Sequence, residues 1–186
     1  MNTSLILASG SPRRKELLAQ LGYSFSVVVT DVEECLKTGE SAQQYVARLS
    51  KDKAMAAAKL EPESVVIGSD TIVVCDDMVL EKPHDLAHAK QMLLMLSGRA
   101  HQVMTAVTVA TQEIQETVVV STDVWFKTLS EQEIEQYWQT GEPCDKAGSY
   151  GIQGIGGRFV TRIEGSYYAV VGLPLYETDQ LLQKFL

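Results

Sequence analysis

Between Ser64 and Cys75 the chain reads SVVIGSDTIVVC, two apolar half-strands with Gly68-Ser69-Asp70-Thr71 between them. An apolar run of this length, bounded by Pro62 and Asp76-Asp77, reads as a buried strand. A carboxylate inside such a strand is costly unless it is paired, metal-bound or functional. Gly68 points to a bulge or to close approach by a ligand, either of which would turn Asp70 toward a cavity. Asp70 is therefore the leading candidate for a general base, set against a structural Asp hydrogen-bonded to nearby backbone.

The second constraint lies near the amino end, in LASGSPRRKELLAQL from Leu7 to Leu21. Leu5 to Ala8 predict a short buried strand, and Ser9-Gly10-Ser11 a hydroxyl-rich turn. Ser11 then caps a helix that opens on Pro12 and carries Leu17, Leu18 and Leu21 on one face. Arg13 and Arg14 fall in its first turn, where a cation is unfavourable by roughly 0.3–1 kcal/mol. Free N–H groups, a glycine, Ser9 and two guanidiniums describe an anion site of phosphate type. The alternative is an arginine pair held by surface carboxylates. The spacing is not that of a Walker A loop.

A net charge of -8 and a pI near 4.9 argue against a nonspecific nucleic-acid binder, whose affinity comes from a basic surface. A polyanionic ligand must then be met by a local cationic pocket. Cys35, Cys75 and Cys144 are odd in number and form no CxxC, as expected of reduced thiols in a cytosolic protein. The first apolar run is too short for a signal peptide and no stretch reaches the length of a membrane span. The expectation is a cytoplasmic protein with no membrane or nucleic-acid partner.

Along the rest of the chain, Ser26–Thr30 predict a strand followed by Asp31, Glu33 and Glu34. Glu34 either helps place a metal beside the phosphate site or belongs to a solvated acidic loop. Glu40 to Lys59 predict a helix whose apolar stripe includes Lys53; its ammonium either snorkels to water or serves as a phosphate ligand. Lys82, before Pro83, is held extended, which suits a side chain directed at a ligand. Asp85 caps a helix, and His84 and His88 lack a third metal ligand. Gln102–Thr111 and Glu116–Lys127 predict an antiparallel hairpin. Ser130 and Glu133 form a capping box opening a helix whose Ile134, Tyr137 and Trp138 read as core or interface contacts. Gly148 to Gly157 hold five glycines in ten residues. With Lys146 and Gln153, that segment is either shaped around a ligand, the Gln153 amide reading a base edge, or a flexible hinge. Phe159–Ile163 predict a strand paired with Tyr167–Val171 across Gly165-Ser166, and Leu173-Pro174 opens a last helix. No repeat or linker interrupts the chain, so one domain over residues 1–186 is expected.

Taken together, ASGSPRRKELL, GSDTIV, LEKP, LSGRAHQVMTAV, GEPCDKAGSYGIQG and GSYYAVVGLP resemble the Maf family of nucleoside triphosphate pyrophosphatases, also called septum formation inhibitor-like. The resemblance runs from Leu5 to about Leu175, with the blocks in the family's order. It implies an α/β fold similar to inosine triphosphatases: a mixed, elongated, twisted sheet flanked by helices, with two lobes and a central cleft. It implies hydrolysis of a nucleoside triphosphate to monophosphate and pyrophosphate with a divalent metal, Mg²⁺ or Mn²⁺, in a homodimer. By position, the proton acceptor falls on Asp70, with Asp70 and Glu34 as metal contacts. Phosphate-contacting residues fall on Ser9, Arg13, Arg14, Lys53 and Lys82, and base selection on Arg13, Thr71 and Gln153. The IQG form resembles the branch acting on dTTP and UTP, whereas the 7-methyl-GTP branch typically carries a glutamate there. The rival class is a non-catalytic, nucleotide-binding regulator of septum formation.

Overall fold

The apolar run around Asp70 folds as one uninterrupted strand, β3 (Val65–Cys75), buried at every position except the half-buried Thr71. The computed structural model describes residues 3–186. At Gly68 the close approach is made by another part of the chain. A Cβ there would stand 2.3 Å from the carbonyl oxygen of Ser50 and 2.6 Å from the backbone nitrogen of Ala54. What comes close is the backbone of helix α2 (Ala42–Leu60), which begins with a Ser41–Gln44 capping box.

Among the described residues the sheet has seven strands, in the order β2 (Ser26–Val27), β1 (Leu5–Leu7), β3, β5 (Ala100–Ala110), β6 (Gln115–Phe126) and β7 (Val160–Glu164), with β4 (Met78–Leu80) beside β3. By contacts the chain divides into two units, one of Met1–Asp70, Thr105–Val120 and Gly172–Leu186, the other of Thr71–Met104 and Ser121–Val171. The long strands β3, β5 (Ala100–Ala110) and β6 (Gln115–Phe126) contribute residues to both. The turn between β5 and β6 is closed by the Thr111 N–H donating to the Ile114 carbonyl at 2.8 Å, as the hairpin expectation required.

In the first unit, β1 (Leu5–Leu7) runs parallel to both β2 (Ser26–Val27) and β3, with Leu7 opposite Ile67. β2 is shorter than expected because β1 ends at Leu7, whose carbonyl takes the Val28 N–H at 3.0 Å. Helix α1 (Pro12–Gln20) follows β1. The small residues Ala54, Ala57 and Ala58 of α2 pack on Ile6, Ala8, Val66 and Ala110, a contact tight enough to exclude a side chain at Gly68.

The second unit adds β4 (Met78–Leu80), paired antiparallel with the end of β3 across Asp76 and Asp77. Their φ values of 50° and 62° are the left-handed pair that a tight two-residue hairpin requires. Helices α3 (Leu86–Leu96), capped by Asp85, and α4 (Glu131–Gln139), capped by Ser130, bury Leu93, Leu96 and Ile134 against Val73, Phe126 and Phe159.

One pairing differs from expectation. Strand β7 (Val160–Glu164) pairs antiparallel with β6, Ile163 opposite Val124, and Tyr167–Val171 form a short helix, α5. The Ser166 hydroxyl accepts the Ala169 N–H at 3.1 Å as a helix cap. The Ser166 N–H is itself held at 3.1 Å by the Thr122 hydroxyl of β6. A five-residue apolar run is compatible with strand or helix, and this cap decides between them. Helix α6 (Leu175–Phe185) ends the chain and buries Thr178, Leu181 and Leu182. Among the described residues no helix is long and apolar enough to cross a membrane.

Candidate active site

Because β1 stops at Leu7 while β3 continues, the turn Ser9-Gly10-Ser11 and the start of α1 stand at the carboxyl end of a parallel pair. That is where open α/β sheets place their ligands. Ser11 caps α1 by accepting the Arg14 N–H at 3.3 Å, and the Ser9 hydroxyl accepts the Ser11 N–H at 3.2 Å. Arg14 Nη1 reaches the Ser9 hydroxyl at 3.4 Å and its Nε donates to the Gly172 carbonyl at 2.8 Å. The same carbonyl takes the buried Ser69 hydroxyl at 3.2 Å. Arg14 is thus fixed by backbone and hydroxyl groups and not by surface carboxylates alone.

Lys53 does not snorkel. Its Nζ lies 2.7 Å from Asp70 Oδ1 and 2.9 Å from Glu34 Oε1. The close seat of α2 on Gly68 brings Lys53 to Asp70, since the Ser50–Ala54 turn that touches the glycine also carries the lysine. Burial pushes the Asp70 carboxyl above its ordinary range against the opposing charges of Lys53 and Arg14. Burial likewise lowers the Arg14 guanidinium, assisted by Arg13 and opposed by Asp70 and Glu34. The first unit therefore gathers three cations, Arg13, Arg14 and Lys53, around two carboxylates, Asp70 and Glu34. The one cation in excess within this group suits a phosphate chain.

Glu34 and Asp70 are oxygen donors converging on one point, the position of the Lys53 ammonium. Among the described residues no group of three or more His, Cys, Asp or Glu could hold a metal. Two carboxylates, with the remaining positions left to phosphate and water, are the donor set that Mg²⁺ commonly takes, so these residues fit such a cation once the Lys53 ammonium leaves that point. His84 and His88 stack on each other 4.8 Å apart.

The remaining candidates belong to the second unit. Thr71 follows Asp70 in β3 and is half-buried, while Lys82 and Gln153 are exposed. The glycine-rich segment around Gln153 is flanked by short 3-10 turns, Glu142–Asp145 and Ala147–Ser149 before it and Ile155–Phe159 after it.

Sequence reasoning missed Arg48. Its Nε and Nη2 bind Glu40 at 2.7 and 2.9 Å, and Nη2 also donates to the Cys35 carbonyl at 2.7 Å, fastening the loop that carries Glu34. The Gly172 carbonyl and Ser69 were missed as well, for they meet Arg14 only through the fold.

The sequence model of the Maf-like proteins matches residues 4–185. The chain belongs to the Maf-like family. This Maf-like chain is 72% identical over 184 residues to the dTTP/UTP pyrophosphatase of Vibrio cholerae, covering 98% of both chains. It is 70% identical over 184 residues to the dTTP/UTP pyrophosphatase of Vibrio parahaemolyticus, covering 98% of this chain and 97% of that relative. Among solved structures, the Staphylococcus aureus Ham1 protein aligns over 67% of this chain and 72% of its own, with a TM-score of 0.45 and 15% identity.

Proposed function

We propose that this Maf-like protein hydrolyses dTTP and UTP, and modified pyrimidine nucleotides of the same shape, to the monophosphate and pyrophosphate. The observation that carries the proposal is a buried carboxylate, Asp70, held at 2.7 Å by a lysine in the unit that also holds Arg13 and Arg14. Relatives 70% and 72% identical that are named dTTP/UTP pyrophosphatases support the choice of substrate.

In the reaction Asp70 accepts a proton from water, the water oxygen bonds to the α-phosphorus, and the bond from that phosphorus to the bridging oxygen breaks. Pyrophosphate leaves with the electron pair. Arg13, Arg14 and Lys53 offset the charge that builds on it, with Lys82 as a further phosphate ligand and Ser9 donating from its hydroxyl. Burial suits Asp70 to this work, because a raised carboxyl takes a proton more readily than an exposed one. Glu34 and Asp70 would hold Mg²⁺ or Mn²⁺, which when bound neutralises charge on phosphate oxygens. Arg13, Thr71 and Gln153 select the base. Family resemblance further supports a cytoplasmic homodimer that clears the nucleotide pool, and the acidic net charge of -8 fits a protein without a nucleic-acid partner.

Pyrophosphate release from dTTP, UTP, CTP, GTP and 7-methyl-GTP, with Mg²⁺ and with chelator, tests this. Metal-dependent turnover highest on dTTP and UTP is expected. Preference for 7-methyl-GTP would move the chain to that branch, and binding without turnover would make it a nucleotide-binding regulator.

A further inference from the structure

In the second unit the glycine-rich segment is gripped by a carboxylate that the phosphoryl chemistry does not use. Glu142 opens the 3-10 turn Glu142–Asp145. Its Oε1 accepts the Tyr137 hydroxyl at 2.7 Å and the Gly156 N–H at 3.0 Å, and its Oε2 accepts the Ile155 N–H at 2.8 Å. The Tyr137 oxygen in turn accepts the Gly151 N–H at 3.1 Å. Two side chains therefore hold the backbone on both sides of Gln153, at Gly151 before it and at Ile155 and Gly156 after it.

The glycines of this segment answer to the same two side chains and a lysine. A Cβ on Gly154 would stand 2.4 Å from Glu142 Oε2, and one on Gly156 would stand 2.6 Å from the Tyr137 hydroxyl. A Cβ on Gly151 would stand 2.7 Å from the Lys146 stem, whose ammonium donates to the Glu142 carbonyl at 2.8 Å. These glycines let backbone N–H groups approach the carboxylate and the phenol closely. Glycine-rich chain loses more entropy on ordering than any other, so it stays in one shape only where specific bonds hold it. Burial pushes the Glu142 carboxyl up. The bonds from Tyr137, Gly156 and Ile155 and the charge of Lys146 outweigh it and keep the group below its ordinary range.

We propose that Glu142, with Tyr137 as its partner, is a positioning residue for base selection. By fixing residues 151–156 it presents the Gln153 amide in one conformation, so that choice among nucleotides depends on it more than turnover does. This assignment rests on the pyrophosphatase proposal above, in which Gln153 meets the base.

Glu142→Gln tests it, because the amide keeps one acceptor but sets an NH₂ group against a backbone donor. Tyr137→Phe is the milder variant and decides the matter if the first does not fold. In nucleotide-free protein, hydrogen exchange at Gly151, Ile155 and Gly156 should quicken by about tenfold, as for losing one or two hydrogen bonds. The ratio of kcat/KM for dTTP over GTP should fall by a similar factor, through KM for dTTP, with kcat close to wild type. Glu142→Asp, which keeps the charge at shorter reach, should recover part of the ratio. Unchanged exchange overturns the proposal, and so does faster exchange with an unaltered ratio. If wild-type protein turns over no triphosphate, the pyrophosphatase proposal fails and base selection by Glu142 falls with it, while the exchange rates still report whether Glu142 holds the segment.

Discussion

The ammonium of Lys53 and the carboxylate of Asp70 are 2.7 Å apart although they stand 17 positions apart in the chain. They meet because α2 lies directly on the backbone of β3 at Gly68. Lys53 is the nearest opposition to the burial that raises the Asp70 carboxyl. Lys53→Met should therefore move the acid limb of the kcat/KM profile to higher pH by about one unit or more, since a contacting opposite charge shifts a carboxyl by roughly 1–3 units. A pH–rate profile checks this, and an unmoved limb would mean that Asp70 is not the titrating group.

Asp70→Asn should lower turnover by about 10²–10⁴-fold, the usual share of a general base, while triphosphate affinity measured by calorimetry is kept. Its stability should not fall. Asp70 is raised in the folded state, so the folded protein binds the proton more tightly than the unfolded chain, and stability drops as pH rises through the raised value. Above that value the ionised carboxyl bears the cost of its burial, which the neutral amide escapes. Thermal melts from pH 5 to 9 should show the wild-type Tm falling relative to the variant as pH rises.

Gly68→Ala places a methyl group against the Ser50 carbonyl oxygen and the Ala54 nitrogen. Overpacking against rigid backbone costs about 1–3 kcal/mol, read by urea denaturation. Because α2 must lift to make room, the Lys53–Asp70 contact lengthens too. Activity should drop further than the unfolded fraction explains, assayed at a temperature where the variant is fully folded.

Arg48 fastens the loop carrying Glu34 through Glu40 and the Cys35 carbonyl, and the pair holds the Glu40 carboxyl down at about 2. Arg48→Met should lower the melting temperature by a few degrees, since the Arg48–Glu40 pair is partly buried and its loss leaves the Glu40 carboxylate without its partner. The metal concentration for half-maximal activity should rise by up to about tenfold, as when a group orienting a metal ligand is removed. An unchanged metal requirement would detach Glu34 from the metal.

His101 is buried with Nε2 2.6 Å from the Tyr150 hydroxyl, and burial together with the Arg99 charge pushes its pKa down to about 4. The unfolded chain takes up a proton near pH 6.5, which the folded protein refuses until much lower pH. Stability supported at neutral pH is therefore lost as pH falls, by about 2 kcal/mol on reaching pH 5. Urea titrations at pH 7 and 5 measure the slope, and His101→Gln should flatten it.

Local signals suffice wherever one segment carries the whole instruction. Ser11-Pro12, Asp85 and Ser130 start their helices as their side chains dictate. Asp76-Asp77 turns the chain as its position between two apolar runs suggests. The run YYAVV suits either period, and the bonds that make it a helix come from Ser166 and from Thr122 of a distant strand.

For the site, sequence alone determined which groups demand a partner: a carboxylate inside an apolar strand and two guanidiniums at a helix start cannot stay buried or crowded without compensation. Tertiary structure alone decided who the partners are. Lys53 answers Asp70 through Gly68, the Gly172 carbonyl answers Arg14, and Glu142 answers the amides flanking Gln153. Those pairings join residues distant in sequence or lying in irregular backbone, where no local periodicity records which groups the packed chain will bring together.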